Sequence, residues 1–235
     1  MGEAFQDREM TIFEHLAELR RRIIIAGLAV LVGMAIAAVF LTWPVIDLLT
    51  RPSDVHLQVL RPTETFSVYM KVALVTGAAL AMPIIVWQAL LFVLPALHQH
   101  ERRFLLFAVP GVSLSFCLGL VFGFFVVIPA AVRFLAGFGS GYVQVTWSFE
   151  EYVSFVSTFL FWVGVVFETP LLMFSLAKLG VVDAEQLGRY WKYALLAAFV
   201  IGAIITPTPD PFNQTIVSVP IFLLYELGII LARFA

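Results

Sequence analysis

The sequence predicts an all-α polytopic membrane protein: six transmembrane helices in a curved bundle, both ends on one side, the last two spans short. Three observations predict it. First, 61% of the 235 residues are hydrophobic, 13% are charged and the mean hydropathy is +0.98, more apolar surface than a water-soluble fold of this length can hide. Second, the apolar residues fall into six runs, 23–43, 67–94, 104–128, 153–177, 193–205 and 215–232, and the first four are long enough to cross a ~30 Å hydrocarbon layer. Third, the basic residues between the runs are unevenly shared. Arg8, Arg20, Arg21, Arg22, Arg102, Arg103, Lys178, Arg189, Lys192 and Arg233 fall on one side, and Arg51, Arg61, Lys71 and Arg133 on the other. The positive-inside rule therefore places both termini in the cytoplasm, with longer outer links at 44–66 and 129–152.

Residues 10–22 read as a short amphipathic helix at the cytoplasmic interface, running into the first span. Thr11 and Glu14 fit a capping box, and Ile12, Phe13, Leu16, Leu19 and Ile23 make an apolar face at helical spacing. On the polar side Glu14, Glu18 and Arg22 follow at four-residue steps, which is also the pattern of plain interfacial anchoring by local ion pairs. Pro83, Pro110 and Pro170 lie within the second, third and fourth spans, where each removes a helical hydrogen bond and favours a bend. The last two spans, 193–205 and 215–232, are short, and the link between them is too polar and proline-rich to lie in lipid; a thinned bilayer or a covering partner would relieve the mismatch. There is no internal repeat, so the chain reads as one six-helix membrane domain over residues 1–235.

Several classes are disfavoured. A net charge of −2 without a basic, aromatic-interleaved patch gives no reason to expect nucleic acid. One cysteine, Cys117, leaves no internal disulfide or cysteine metal site, and His98 with His100 lacks a third ligand nearby, so neither metal nor cofactor is expected. Paired aspartates, Gly-x-Ser-x-Gly and His-Glu-x-x-His are all missing, which argues against an intramembrane enzyme. The acidic opening, Gly2 to Glu9, does not read as a cleavable signal.

Glu168 stands alone inside the fourth run, ten residues before Lys178, which places it on the order of 15 Å deep at ~1.5 Å per residue. An acid at that depth is costly in lipid and should face other helices, a partner or a wet cavity. Pro170, two residues on, frees a carbonyl beside it and suggests a polar notch. The acid could be a packing group, or the carrier site of a proton-coupled small-molecule transporter. Glu101, between the second and third spans, could be a solvated loop acid paired with its neighbouring arginines, and Glu226 falls near the cytoplasmic end.

Four segments taken together, Met10-Thr-x-x-x-His15-Leu-x-Glu18-Leu-Arg20-x-Arg22, Pro95-Ala-Leu-x-x-His100-Glu101-Arg-Arg103, Phe167-Glu168-x-Pro170 and Thr206-Pro-x-Pro-Asp210-x-x-x-Gln214, closely resemble the TatC subunit of the twin-arginine protein translocase. The resemblance spans roughly residues 10–232. It implies a receptor rather than an enzyme, in a prokaryotic cytoplasmic membrane, that binds twin-arginine signal peptides of folded precursors and works in an oligomeric complex with single-span TatA and TatB subunits. By position, Glu18 and Glu101 match the acids implicated in twin-arginine contact, and carboxylates suit arginine forks. Leu16, Leu19, Phe92 and Pro95 match positions around that surface. Arg20 matches too, and a cation there fits better as a positioner of the acids. Glu168 matches an intramembrane glutamate beneath a concave wall of the bundle. Asp210 and Gln214 match polar positions at the turn before the last span, where an amide could bond a partner helix and Asp210 could instead cap the helix. Pro52 and Phe66 match positions shaping the outer cap. The chain departs from the family at Glu64-Thr65-Phe66, where Pro-Phe is frequent, and in the alternating Pro207, Pro209 and Pro211.

Overall fold

The computed structural model describes residues 12–53, 56–93, 102–137, 146–178, 180–206 and 211–235. The first long rod joins α1 (Ile12–Ile36), a π-helical segment (Ala37–Leu41) and α2 (Thr42–Thr50). Residues 12–22 are the first turns of this rod, not a separate helix. The rod is followed by α3 (Glu64–Val93) and then by α4 (Arg102–Phe122), which passes through a second π-helical segment (Gly123–Val127) into α5 (Ile128–Gly137). Next come α6 (Phe149–Phe167), α7 (Thr169–Lys178), the short α8 (Ala184–Arg189), α9 (Trp191–Ile205) and α10 (Pro211–Ala232).

Among the described residues, five helical stretches are long and apolar enough to cross a membrane: Phe13–Thr50, Glu64–Phe92, Pro110–Gly137, Phe149–Lys178 and Gln214–Ala232. A shorter apolar helix, α9, has 15 residues and a length near 22 Å, less than the ~30 Å core. The expectation of two short C-terminal spans is corrected at α10, which has 22 residues. Its apolar run begins at Thr215, but the helix itself starts at Pro211. Proline suits a first helical position, because its missing N–H would have had no intrahelical partner there.

Two of the helix interruptions have a visible local setting. At the first π segment Ala37 O accepts both the Thr42 N–H and, at 2.9 Å, the Thr42 hydroxyl, and the Tyr69 hydroxyl of α3 donates to Ala38 O. The fourth span breaks at Glu168. Pro170 has no N–H to offer the Val166 carbonyl, and the Glu168 N–H turns back to Val165 O at 3.1 Å and to Val166 O.

α6 is central to the end of the bundle away from the N-terminus. Its Val153, Val156, Phe159 and Val163 pack with Leu49 of α2, Val72 of α3, Ile128 of α5, Ile205 of α9 and Val217 of α10. A second cluster, Met82, Val86 and Leu90 of α3 with Val112 and Phe116 of α4, lies toward the N-terminal end. Where α1 crosses α3, Gly33 and Gly77 face each other so closely that a Cβ on either would strike the other helix's backbone. Small residues allow this approach, and dispersion between close-packed backbones then holds membrane helices together. Large apolar side chains such as Leu31, Phe40, Phe125, Ile204 and Leu223 point outward, as a lipid-facing surface requires.

The links before α3 and α6 are tied by one side chain. Two-residue strands β1 (Leu57–Gln58) and β2 (Trp147–Ser148) pair in parallel, bringing the link before α3 beside the link before α6. Glu64, the first residue of α3 and 1% exposed, lies under them. Its Oε2 accepts from the Leu60 and Arg61 N–H groups at 2.7 and 3.1 Å, and its Oε1 from the Ser148 hydroxyl and the Glu150 N–H at 2.8 and 2.7 Å. Arg61 also reaches Glu150 at 3.1 Å. Four donors on one carboxylate replace the water it gives up.

Candidate functional site

At the N-terminal end, α1 and α3 lie side by side, and their polar residues meet there. Glu18 and Arg22 stand one helical turn apart on α1, a spacing that places them on one face. Arg22 Nη2 donates to Glu18 Oε1 at 2.9 Å, and Nη1 donates across the helix boundary to Gln88 Oε1 of α3 at 3.0 Å. Gln88 is buried, and the Glu18 and Arg22 side chains are 19% and 22% exposed. A turn earlier, the His15 ring stacks on Phe92 near the end of α3, with centroids 4.5 Å apart and planes inclined by 21°.

Leu16 is 54% exposed, Leu19 is half-buried and Arg20 is exposed. The cation on Glu18 is thus Arg22, because two residues along a helix turn Arg20 to a different face. Phe92 joins Glu18's end of the bundle through His15, while Pro95 and Glu101 lie outside the described residues. Gln88 was not anticipated; its signal was a lone amide inside the apolar run 67–94.

Glu168 sits at the break between α6 and α7, 1% exposed, with neither carboxyl oxygen bonded. The acid is enclosed by this chain and does not open onto a wet depression. Pro170 beside it is buried. Elsewhere, Gln214 of α10 donates its amide to the Phe199 carbonyl of α9 at 3.0 Å, Ser218 Oγ donates to Gln214 O at 2.7 Å, and Thr206 Oγ1 donates to Gly202 O at 2.8 Å. The first of these bonds ties α9 to α10 and engages Gln214's donor within the chain. Asp210 lies outside the described residues. Among the described residues no three histidine, cysteine, aspartate or glutamate side chains gather as a metal site would require.

Residues 14–220 match the family model for Sec-independent protein translocase protein (TatC). The chain is 38% identical over 232 residues to the Sec-independent protein translocase protein TatC of Carboxydothermus hydrogenoformans, covering 97% of this chain and 95% of that protein. With the Aquifex aeolicus protein of the same name it shares 39% over 233 residues, 96% of each. With the chloroplastic protein of Arabidopsis thaliana it shares 39% over 231 residues, 94% of this chain and 66% of that one. A crystal structure described as the twin-arginine translocase receptor TatC superposes with a TM-score of 0.83 at 38% identity, covering 94% of this chain and 99% of that one. A match over nearly the whole length, in sequence and in fold, leaves one assignment: this chain is a member of the TatC family, a multi-pass membrane protein of the Sec-independent protein translocase.

Proposed function

We propose that the chain is the receptor and organising subunit of a twin-arginine translocase. It acts as a single six-helix domain in a prokaryotic cytoplasmic membrane, with both termini in the cytoplasm. Glu18, with Glu101, binds the paired arginines of a signal peptide; Leu16, Leu19, Phe92 and Pro95 shape the surrounding surface. The signal's apolar stretch then runs toward Glu168 and Pro170, and Asp210 and Gln214 meet single-span partners of the TatA and TatB type as an oligomeric complex gathers. The role is transport rather than catalysis.

The observation that carries this reading is the His15–Phe92 stack. It fixes the segment bearing Glu18 against the end of α3. Glu18 is there partly withdrawn from water, where a carboxylate binds a guanidinium far more strongly than at an open surface. A proton-coupled small-molecule transporter finds no support in the family match, which is to a protein translocase.

Binding of a twin-arginine signal peptide and its twin-lysine counterpart to the purified protein tests the reading. Glu18→Ala and Glu101→Ala should each cost on the order of 2–5 kcal/mol, roughly 30-fold or more in affinity, if the carboxylates are desolvated on binding. Losses below about 1 kcal/mol would mean exposed, dispensable acids. Equal binding of both peptides by the unaltered protein would reject the receptor role for this chain alone.

A further inference from the structure

We infer that Arg22 is a built-in competitor for Glu18: a tethered guanidinium that occupies the carboxylate until an incoming arginine displaces it. The inference rests on the receptor reading above and adds to it a contact internal to the chain that sets how tightly the site holds its ligand.

The geometry is that of an occupied site. One oxygen of Glu18 is spent on Arg22 Nη2 at 2.9 Å, and the other, Oε2, is buried without a partner. A guanidinium from outside forms its strongest contact by presenting two N–H groups to both oxygens of a carboxylate. Neither oxygen is open to it: one is bonded to Arg22 and the other is buried. The Arg22 Nε is likewise buried and unbonded, so the resident pair is a single-bond contact that leaves hydrogen-bonding capacity unused on both sides. A two-bond fork from a ligand would use that capacity on the acid.

Displacement does not strand the resident cation. Arg22 Nη1 already donates to Gln88 Oε1 at 3.0 Å, on the neighbouring helix. When the Glu18 contact is exchanged, the guanidinium keeps this second partner, and no buried charge is left bare. The exchange replaces one guanidinium by another on the same acid. The ligand therefore gains only the difference between its own contact and the one it removes. A receptor that must release its signal peptide after each transport event benefits from this reduced affinity, since release rates follow affinity.

The test is equilibrium binding of fluorescent twin-arginine and twin-lysine signal peptides to the full-length protein in lipid nanodiscs. The proteins compared are the unaltered chain, Arg22→Gln, Arg22→Lys, Glu18→Ala and the Glu18→Ala/Arg22→Gln pair. Removing the competitor should tighten binding of both peptides by about three- to fivefold, the value of a partly exposed ion pair. The loss caused by Glu18→Ala should then be larger in the Arg22→Gln background than in the unaltered one. Arg22→Lys keeps a cation on Glu18 and should fall between. An arginine that merely braces α1 against α3 gives the opposite sign: Arg22→Gln would weaken both peptides, and that result, or no change at all, overturns the proposal. If Arg22→Gln fails to fold, Arg22→Lys decides, since a competitor requires a partial gain from it. Failure of the receptor reading is distinct, because it appears in the unaltered protein as indifference to arginine against lysine.

Discussion

Replacing Gly77 by alanine adds one methyl group at the tightest place in the bundle. That Cβ would meet the backbone of Met34 and the Gly33 carbonyl carbon, none of which can rotate away as a side-chain tip could. Overpacking of this kind costs about 1–3 kcal/mol, and a clash with backbone belongs near the upper figure. Against it stands the gain of about 1 kcal/mol when a glycine inside a helix becomes alanine. The net expectation is a loss of about 2 kcal/mol. Gly27 supplies the control: it too lies within a helix, α1, but a Cβ there meets nothing within 4 Å, so Gly27→Ala keeps the helical gain without the clash. Reversible unfolding in mixed micelles, followed by tryptophan fluorescence and far-ultraviolet dichroism, should separate the two variants by about 3 kcal/mol, in opposite directions from the unaltered chain. The same wedge should weaken signal-peptide binding, because drawing Gln88 away removes the partner that keeps Arg22 once a ligand displaces it from Glu18. If Gly77→Ala proves as stable as Gly27→Ala, close backbone approach is not what joins α1 to α3, and the packing argument fails.

Two further outcomes are expected. Glu64→Ala strands three backbone N–H groups and the Ser148 hydroxyl at once, so the thermal midpoint should fall by several degrees and the links before α3 and α6 should become protease-sensitive; an unchanged digestion pattern would show that the β1–β2 pairing holds the cap unaided. Glu168→Met removes an unbonded buried carboxyl and keeps similar volume, so it should stabilise the isolated protein by about 1–3 kcal/mol while impairing export; a destabilised variant would show that the acid has a structural partner.

The helical class and the positions of the five apolar stretches long enough to cross a membrane were legible because apolar run length reports directly on what a bilayer demands. Boundaries failed where helix and apolarity part company. α10 begins at Pro211, four residues before its apolar run, because the polar residues ahead of Thr215 are as able to be helical as those after it. The break at Glu168 could be anticipated from Pro170, since a missing N–H is a property of the residue itself. The role of Glu64 could not. In the sequence it sits in Arg61-Pro-Thr-Glu64, a turn-like polar stretch, and two of its donors come from residues 84 and 86 positions away. Gln88 and Arg22 illustrate the same limit: local spacing put Arg22 on Glu18's face, but only the α1–α3 crossing, set by two glycines, brings Gln88 to the other side of the guanidinium.

Polar satisfaction is distributed in a way that separates support from function. Glu64 is buried with four donors around it, and nothing about its surroundings asks for a further ligand. Among the described residues, the charged side chains with buried, unbonded atoms are Glu18, Arg22 and Glu168. Leaving such atoms bare costs stability, and a native chain tolerates that cost mainly where binding later removes it. Glu18 and Arg22 lie at the N-terminal end of the bundle, and Glu168 lies within a span, enclosed by this chain. The same chain therefore holds the links before α3 and α6 with a fully satisfied acid and keeps two incompletely satisfied ones elsewhere. If the chain is the receptor proposed above, a bound signal peptide should protect Glu18 from carboxyl-modifying reagents and leave the reactivity of Glu64 and Glu168, both 1% exposed and low from the start, unchanged.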